Sequence, residues 1–224
     1  MKSTPNFELN TVAIMQPYFF PYAGYFRLLE YCKTFVIFDC VQFTRRSWIS
    51  RNQFLKTNLE RDWLNMPLLK ADRETKISEI EFRADSTFET DTFNLHRLLN
   101  DQAHDYLFNT RLSPVDLLCR QIEWVSEKLQ FECEFIRSSE LKLDETFRGS
   151  NRVIEIARRV GAHEYINLSG GVDLYSKPEF YDQGIDLKFL TPYKGSFTNI
   201  LDRILTEPID SIKDEILTFT NFQD

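Results

Sequence analysis

Two apolar stretches decide the fold: Thr11-Val-Ala-Ile-Met15 and, further along, Thr34-Phe-Val-Ile-Phe-Asp39. Each has the length of a β-strand. Between them lie a proline-punctuated loop, Gln16-Pro-Tyr-Phe-Phe-Pro-Tyr22, and a segment from Gly24 to Cys32 whose apolar residues recur with helical spacing. Strand, loop, helix and strand within about 30 residues form a βαβ unit. The sequence therefore predicts two parallel strands near the start of the chain.

The rest of the chain continues the alternation of strands and helices. Ser113 and Pro114 are typical of a helix start, and Gly161 is typical of a helix end. Further strands are predicted at 62–67, 76–83, 134–137, 165–167 and 186–190, and further helices at 86–106, from 114 onward, at 151–160 and at 209–217. We therefore predict one α/β domain over residues 1–224, with a mainly parallel sheet, flanking helices, a Rossmann-like N-terminal βαβ unit and a C-terminal helical tail at 191–224.

The composition narrows the functional classes. The 224 residues carry a formal net charge of −7, and such an acidic chain is not typical of a nucleic-acid-binding protein. No stretch approaches the roughly 18 apolar residues of a membrane span, and the polar N-terminus lacks the apolar run of a signal peptide. The four cysteines and three histidines show no paired or zinc-binding spacing. We expect a soluble cytoplasmic protein with no metal, no nucleic-acid partner and no membrane insertion.

Polar and aromatic side chains concentrate after the first two predicted strands. Because the carboxyl ends of neighbouring parallel strands meet at one sheet edge, these side chains are expected to line one crevice. The candidates for substrate binding are Gln16, Tyr18, Tyr22, Gln42, Arg45, Trp48, Arg51 and Asn52. Arginine suits phosphate or carboxylate, and tyrosine or tryptophan can stack on a base or a sugar. The alternative is that the arginines form a solvated surface and that Phe19 and Phe20 serve only packing.

Two residues are candidates for proton transfer. Asp39 directly follows the second predicted strand, so its carboxylate is expected at the crevice edge, where it could act as a general base. His96, within a predicted helix, is the other candidate. The alternative for Asp39 is a turn cap or an ion pair with Arg45 or Arg51, and the alternative for His96 is a structural role.

A second polar constellation lies in the C-terminal half. It comprises Ser138, Ser139, Asn167, Ser169, Gly170, Gly171 and Tyr175. A Ser-Gly-Gly turn after a strand can present consecutive backbone N–H groups to a pyrophosphate or to an oxyanion. The alternative is that the two glycines only form a turn.

These motifs together resemble the WbqC-like protein family. The resemblance rests on Met15-Gln-Pro-Tyr-Phe-Phe-Pro-Tyr-Ala-Gly-Tyr-Phe26, on Phe35-Val-Ile-Phe-Asp39, and on Val41-Gln-Phe43, Trp48-Ile49 and Arg51-Asn52. It continues through Pro67, His96, Ser138-Ser139, Tyr165-Ile-Asn167, Gly170-Gly171, Leu174-Tyr175, Phe180 and Gly184-Ile185, and covers residues 11–190. The family often has a second Asp where this chain has Cys40, which puts a mechanism that needs both carboxylates in doubt. We interpret Cys40 as a buried packing residue.

The resemblance implies a cytoplasmic enzyme, since members of the family occur largely in bacterial gene clusters for O-antigen (lipopolysaccharide) and related surface glycans. The implied reaction attaches an acyl or aminoacyl group, such as glycyl, to the amine of a nucleotide-linked amino-deoxysugar. Asp39 or His96 would deprotonate the amine, and backbone donors near Gly170 and Gly171 would stabilise the oxyanion. The donor stays open between an acyl- or peptidyl-carrier-protein thioester, an aminoacyl-tRNA, and an amino acid with ATP. No cofactor is assigned.

Two other functions fit the same residues. The chain could be a non-catalytic sugar-nucleotide binding or assembly partner of a neighbouring enzyme. Tyr22-Ala-Gly-Tyr25 is also similar to the H-x-G-H motif of nucleotidylyltransferases and pantothenate synthetase, which bind ATP. Here both histidines are tyrosines, which cannot offer phosphate the imidazole donors of that motif.

Overall fold

A five-stranded parallel sheet forms the centre of the molecule. The computed structural model describes residues 10–93 and 95–223, and for His96 and Arg97 it describes the backbone alone. The strands of this part of the chain are β1 (Thr11–Met15), β2 (Thr34–Ile37), β3 (Arg51–Leu55), β4 (Arg61–Asn65), β5 (Glu134–Arg137), β6 (Glu164–Asn167) and β7 (Asp186–Phe189). The order in the parallel sheet is β5-β2-β1-β6-β7, and β3 pairs with β4 in a separate antiparallel hairpin.

Helices cover both faces of this sheet. They are α1 (Leu95–Leu98), α2 (Asp101–Leu107), α3 (Pro114–Leu129), α4 (Gly149–Arg159), α5 (Lys177–Tyr181), α6 (Ile200–Thr206) and α7 (Ile209–Thr218), with 3-10 segments at Ala23–Glu30, Ile77–Glu79, Asp91–Phe93, Ser138–Leu141 and Ser169–Gly171. Strand side chains alternate between the faces, so Val12 packs with Val153 of α4, whereas Ala13 packs in the opposite core layer with Val125 of α3. Within the described residues, none of these helices is long and apolar enough to cross a membrane.

The α/β class and the parallel sheet are confirmed. β1 and β2 are parallel neighbours, with Ala13 opposite Phe35, and both faces of the sheet are covered, which is why these strands are continuous apolar runs. The connection between them is a 3-10 helix, where the spacing predicts an α-helix. Every residue from Ala23 to Leu29 is buried, so the segment packs on all sides and not along one helical face. The Rossmann-like character of this unit stays a prediction.

Two predicted elements of the middle region differ from the structure. The strand predicted at 76–83 is absent, because the backbone there binds a loop: the N–H groups of Ile77 and Ser78 donate to the carbonyls of Val41 and Asp39. The single helix predicted at 86–106 is divided into a 3-10 turn, α1 and α2. Asn100 starts α2 as its N-cap, accepting a hydrogen bond from the Ala103 N–H at 2.8 Å.

The C-terminal segment, predicted at 191–224 as a helical tail, packs into the main core. It does contain two helices, α6 and α7. Ile212 and Ile216 of α7 are fully buried in the same core layer as the 3-10 helix Ala23–Glu30. The nearly buried Arg203 of α6 forms ion pairs with Glu207 at 2.6 Å and with Glu215 of α7 at 2.7 Å. These contacts fix the preceding loop, 190–199, against the sheet.

The strand order predicts where a ligand would bind. From β1 the chain moves outward through β2 to β5, and it then returns to the other side of β1 for β6 and β7. In open α/β sheets, ligands bind beyond the carboxyl ends of the strands, near the point where the order reverses. Here that point lies between β1 and β6, next to the loops that start at Gln16 and Leu168.

Candidate functional site

The loop that follows β1 divides its aromatic residues between core and surface. Phe19 and Phe20 are fully buried, whereas Tyr18 and Tyr22 are partly exposed. Phe20 has a φ of 45°, a left-handed conformation that is uncommon for a large side chain. The Asn52 Nδ2 group stabilises this turn by donating to the carbonyls of Phe19 at 2.9 Å and Phe20 at 2.8 Å. The packing interpretation of Phe19 and Phe20 is therefore the correct one.

Three segments of the chain meet around an apolar pocket of about 280 Å³, which we call the aromatic pocket. It is lined by Tyr18, Pro21, Tyr22, Trp48, Asn52 and Phe197. The ring centroid of Phe197 lies 4.9 Å from that of Tyr22, and the side chain of Phe197 is 68% exposed. Residues 18–22 thus meet Trp48 and Asn52 in one crevice. Phe197 is absent from the candidates chosen by sequence, and its only local signal is an aromatic residue that follows Gly195-Ser196.

Gly24 sets the position of one wall of this pocket. A Cβ atom at Gly24 would lie 2.3 Å from Cε2 of Tyr22 and 2.7 Å from Cδ1 of Tyr193, closer than atoms can approach. We expect Gly24→Ala to displace Tyr22 and to lower the free energy of unfolding by about 1–3 kcal/mol, as overpacking does. The measurement is urea denaturation, with Gly170→Ala as control because a Cβ there meets nothing within 4 Å. Equal stability of the two variants would contradict the close approach.

A second, polar cavity of about 620 Å³ lies at the carboxyl end of β2, and we call it the charged cavity. Its polar and charged lining consists of Gln42, Glu74, Lys76, Glu145, Arg148, Ser150, Arg152 and Tyr175. Lys76, Arg148 and Arg152 are absent from the candidates chosen by sequence. The signal for the two arginines was the spacing Glu145-x-x-Arg148-x-x-x-Arg152 at a helix start, whereas no local spacing marks Lys76.

The start of α4 adds to the positive potential of the charged cavity. Gly149 and Ser150 line the cavity, and no side chain caps this helix terminus. Unpaired N–H groups of the first turn carry the positive end of the helix dipole. Arg152 lies one turn further along α4. Its guanidinium is nearly buried and donates to the carbonyls of Phe147 at 2.9 Å and Cys40 at 3.2 Å.

The carboxylate of Asp39 is fully buried and fully hydrogen-bonded. Its Oδ1 accepts from Ser138 Oγ at 3.0 Å and from the Ser139 N–H at 2.8 Å. Its Oδ2 accepts from Arg137 Nε at 2.9 Å and from Ser139 Oγ at 2.8 Å. A general base needs a free lone pair within reach of the substrate, and this geometry leaves none. Asp39, Ser138 and Ser139 therefore link the ends of β2 and β5 and do not form an open site.

The two candidate arginines line neither cavity, and their role in phosphate binding stays a prediction. Arg45 donates to the carbonyl of Ala71. Arg51 donates to the carbonyl of Arg46 at 3.1 Å, and its guanidinium lies 4.0 Å above the ring of Trp63. Each guanidinium thus donates one hydrogen bond to a backbone carbonyl of the protein itself.

The Ser-Gly-Gly segment forms a 3-10 turn that pairs one of the N–H groups of the predicted anion nest. The Gly171 N–H donates to the carbonyl of Leu168 at 2.9 Å, so it is not available for an oxyanion. Asn167 Oδ1 accepts from the Leu168 N–H at 2.7 Å, and a Cβ at Gly171 would lie 2.5 Å from Asn167 Nδ2. Ser169 and Gly170 belong to the same 3-10 turn, and the carbonyl of Ser169 accepts from the Val172 N–H at 3.3 Å. The segment closes the end of β6 tightly.

The remaining candidates fall into different environments. The backbone carbonyl of Gln16 accepts a hydrogen bond from the buried Tyr25 hydroxyl at 3.0 Å, so Tyr25 cannot pair with Tyr22 as a phosphate-binding set. Gln42 donates to the carbonyl of Arg73 at 2.5 Å.

Burial raises the pKa of Tyr18, Tyr22 and Tyr175, so all three keep neutral hydroxyl groups near pH 7. The side chain of His96 lies outside the described part of the chain, and its role stays a prediction.

Comparison with known proteins identifies the family of this chain. An uncharacterized protein of Mycobacterium tuberculosis (strain ATCC 25618 / H37Rv), Rv1507c, is 37% identical over 60 residues, which is 27% of this chain. The chain matches only 26% of that protein's length. No solved structure matches significantly. The sequence model of the WbqC-like protein family matches residues 16–200, a range that includes the lining of both cavities and Phe197. The chain therefore belongs to the WbqC-like protein family.

Proposed function

We propose that this protein acts in the cytoplasm on a nucleotide-linked amino sugar and attaches an acyl or aminoacyl group, such as glycyl, to its amine during surface-glycan synthesis. One observation carries the proposal: an apolar aromatic pocket and a cation-lined cavity both lie at the carboxyl edge of one parallel sheet. A sugar nucleotide has matching halves, namely a planar base and an anionic diphosphate-sugar. Aromatic rings suit the base, and arginine and lysine suit the phosphates.

A short stretch of chain connects the two cavities. Gln42 lines the charged cavity and Trp48 lines the aromatic pocket, and the two residues are six positions apart in sequence. A fully extended chain of that length spans at most about 20 Å. The loop 40–48 is therefore a bridge between the subsites, which favours a ligand that contacts both.

The proposed reaction needs a proton acceptor, because an alkylammonium group cannot attack a carbonyl carbon. Within the described residues, Glu74 is the carboxylate of the charged cavity that forms no ion pair, whereas Glu145 binds three cations. Glu74 would take the proton of the sugar amine as the new C–N bond forms and the donor's leaving group departs. His96 stays the alternative acceptor.

The test is a product assay. We expect a mass-shifted sugar nucleotide when the protein is supplied with a nucleotide-linked amino sugar and each donor class in turn: carrier-protein thioester, aminoacyl-tRNA, and amino acid with ATP. Glu74→Gln should lower turnover by about 10²–10⁴ with little change in substrate affinity. The absence of product with every donor would contradict the transferase assignment.

A second candidate function is supported by the Asp39 carboxylate, which already accepts four hydrogen bonds within the protein. If Asp39 does not act as a general base, the protein could be a non-catalytic sugar-nucleotide binding or assembly partner of a neighbouring enzyme. A binder would raise its melting temperature with a sugar nucleotide by mass action but would yield no product. The same thermal-shift screen with ATP tests the ATP-using alternative, for which Tyr25 is unfavourably buried.

The aromatic pocket makes a separate prediction. Stacking of a base on an aromatic side chain contributes about 1–3 kcal/mol, so Trp48→Ala should weaken sugar-nucleotide binding by roughly ten-fold to hundred-fold. Trp48 is half exposed, and its loss should change stability little. Titration calorimetry measures the effect, with Trp124→Ala in α3, which lines neither cavity, as a control. Unchanged affinity in Trp48→Ala would show that the nucleotide base does not bind in this pocket.

A further inference from the structure

Three cations of the charged cavity converge on one carboxylate. Lys76 Nζ lies 2.5 Å from Oε1 of Glu145, and Arg152 Nη2 lies 3.3 Å from its Oε2. Arg148 Nη1 lies 3.7 Å from the same Oε2. All four side chains line the cavity. This is the number and kind of donors that a phosphate group recruits, with a glutamate at their centre.

Two of the cations are held by contacts that do not depend on Glu145. Arg152 is nearly buried and also donates to the carbonyls of Phe147 and Cys40. The backbone N–H of Lys76 donates to Glu79 at 2.9 Å, which holds its segment in place. Glu145, by contrast, is 56% exposed and lies in the loop before α4. The Arg152 guanidinium and the Lys76 backbone are thus held in place, whereas the side chain of Glu145 lies at the exposed side of the cluster.

We infer that Glu145 occupies, in the free protein, the position that the diphosphate group of a ligand takes on binding. This inference deepens the proposed function and rests on it for the identity of the whole ligand. An exposed ion pair is weakened by solvent and salt, so Glu145 can leave at little cost. A diphosphate brings more negative charge and more acceptor oxygens to the same donors. Hydrogen bonding from Lys76 lowers the pKa of Glu145, which keeps it an anion near neutral pH.

The inference predicts an affinity gain from removing an acid. Glu145→Gln should bind inorganic pyrophosphate at least about five-fold more tightly than the natural protein, because the ligand no longer competes with a carboxylate. The matched control is Glu155→Gln in α4, which also loses a carboxylate paired with two arginines, Arg158 at 3.2 Å and Arg159 at 2.8 Å. Its pyrophosphate affinity should not change. Lys76→Met should weaken binding.

Titration calorimetry with inorganic pyrophosphate decides between the outcomes. Unchanged or weaker binding by Glu145→Gln would overturn the inference, since Glu145 would then be neutral to the site or needed to order the cations. A parallel titration with a nucleoside-diphosphate sugar separates the two proposals. If pyrophosphate binding tightens but no sugar nucleotide binds, the inference stands and the proposed function fails. If sugar nucleotides bind and Glu145→Gln has no effect, the inference alone fails.

Discussion

Replacing Asp39 by asparagine is expected to lower the free energy of unfolding by about 3–5 kcal/mol, the range for removing one partner of a buried ion pair. The carboxylate is fully buried and accepts four hydrogen bonds, from Arg137, Ser138 and Ser139. The amide keeps one acceptor oxygen but faces these donors with an NH₂ group and no charge. Urea denaturation of the two proteins measures the difference.

Asp116→Asn is the matched control for this prediction. Asp116 binds the same arginine, with Oδ1 at 2.7 Å from Arg137 Nη1, but its side chain is 50% exposed. An exposed pair contributes about 0–1 kcal/mol, so this variant should remain nearly as stable as the natural protein. If Asp39→Asn kept full stability and lost turnover, Asp39 would be the general base after all, and the network around it would serve catalysis.

Phe19→Ala is expected to have an effect of similar size, about 3–5 kcal/mol, as for other fully buried phenylalanines. The Phe19 ring lies 5.1 Å from that of Phe20, 5.7 Å from that of Phe54, and stacks on Phe88 at 5.7 Å. Its removal leaves a cavity beneath the loop that carries Tyr18 and Tyr22. Denaturant midpoints would fall, and sugar-nucleotide binding would fall with them because the pocket wall loses its support.

Phe197→Ala provides the contrast on the other side of the same pocket. Phe197 is 68% exposed, so its truncation should change stability by no more than about 0.5 kcal/mol while it weakens ligand binding. Thermal unfolding without ligand and calorimetry with a sugar nucleotide together separate the two effects. Equal destabilisation by both substitutions would mean that the aromatic pocket is part of the core and not a binding surface.

Local pattern was sufficient to predict much of the fold. The buried strands β1 and β2 are short apolar runs, and α3 begins at Ser113 and Pro114 as their capping chemistry predicts. The parallel arrangement followed from the length of the connections. The hairpin β3–β4 was not predicted as a pair, because Arg51–Leu55 has only two buried side chains and reads as polar sequence.

Part of the candidate site was also predictable. Tyr18, Tyr22, Trp48 and Asn52 line the aromatic pocket, and Gln42 and Tyr175 line the charged cavity, as polar or aromatic residues beyond strand ends are expected to do. The positions Arg45 and Arg51 satisfy the same rule but are occupied by contacts with the protein itself. Proximity to a strand end fixes where the backbone lies, and it does not tell which way a long side chain turns.

The sequence by itself determined the α/β class, the parallel pairing of β1 with β2, and the concentration of aromatic and polar groups at one sheet edge, because each follows from local periodicity and strand length. Only the tertiary structure decided that Asp39 is buried, that Phe197 completes the aromatic pocket, and that Lys76 and Arg152 share the charged cavity. These residues lie far apart along the chain. Their contacts depend on how loops from different strands pack together, which no local spacing encodes.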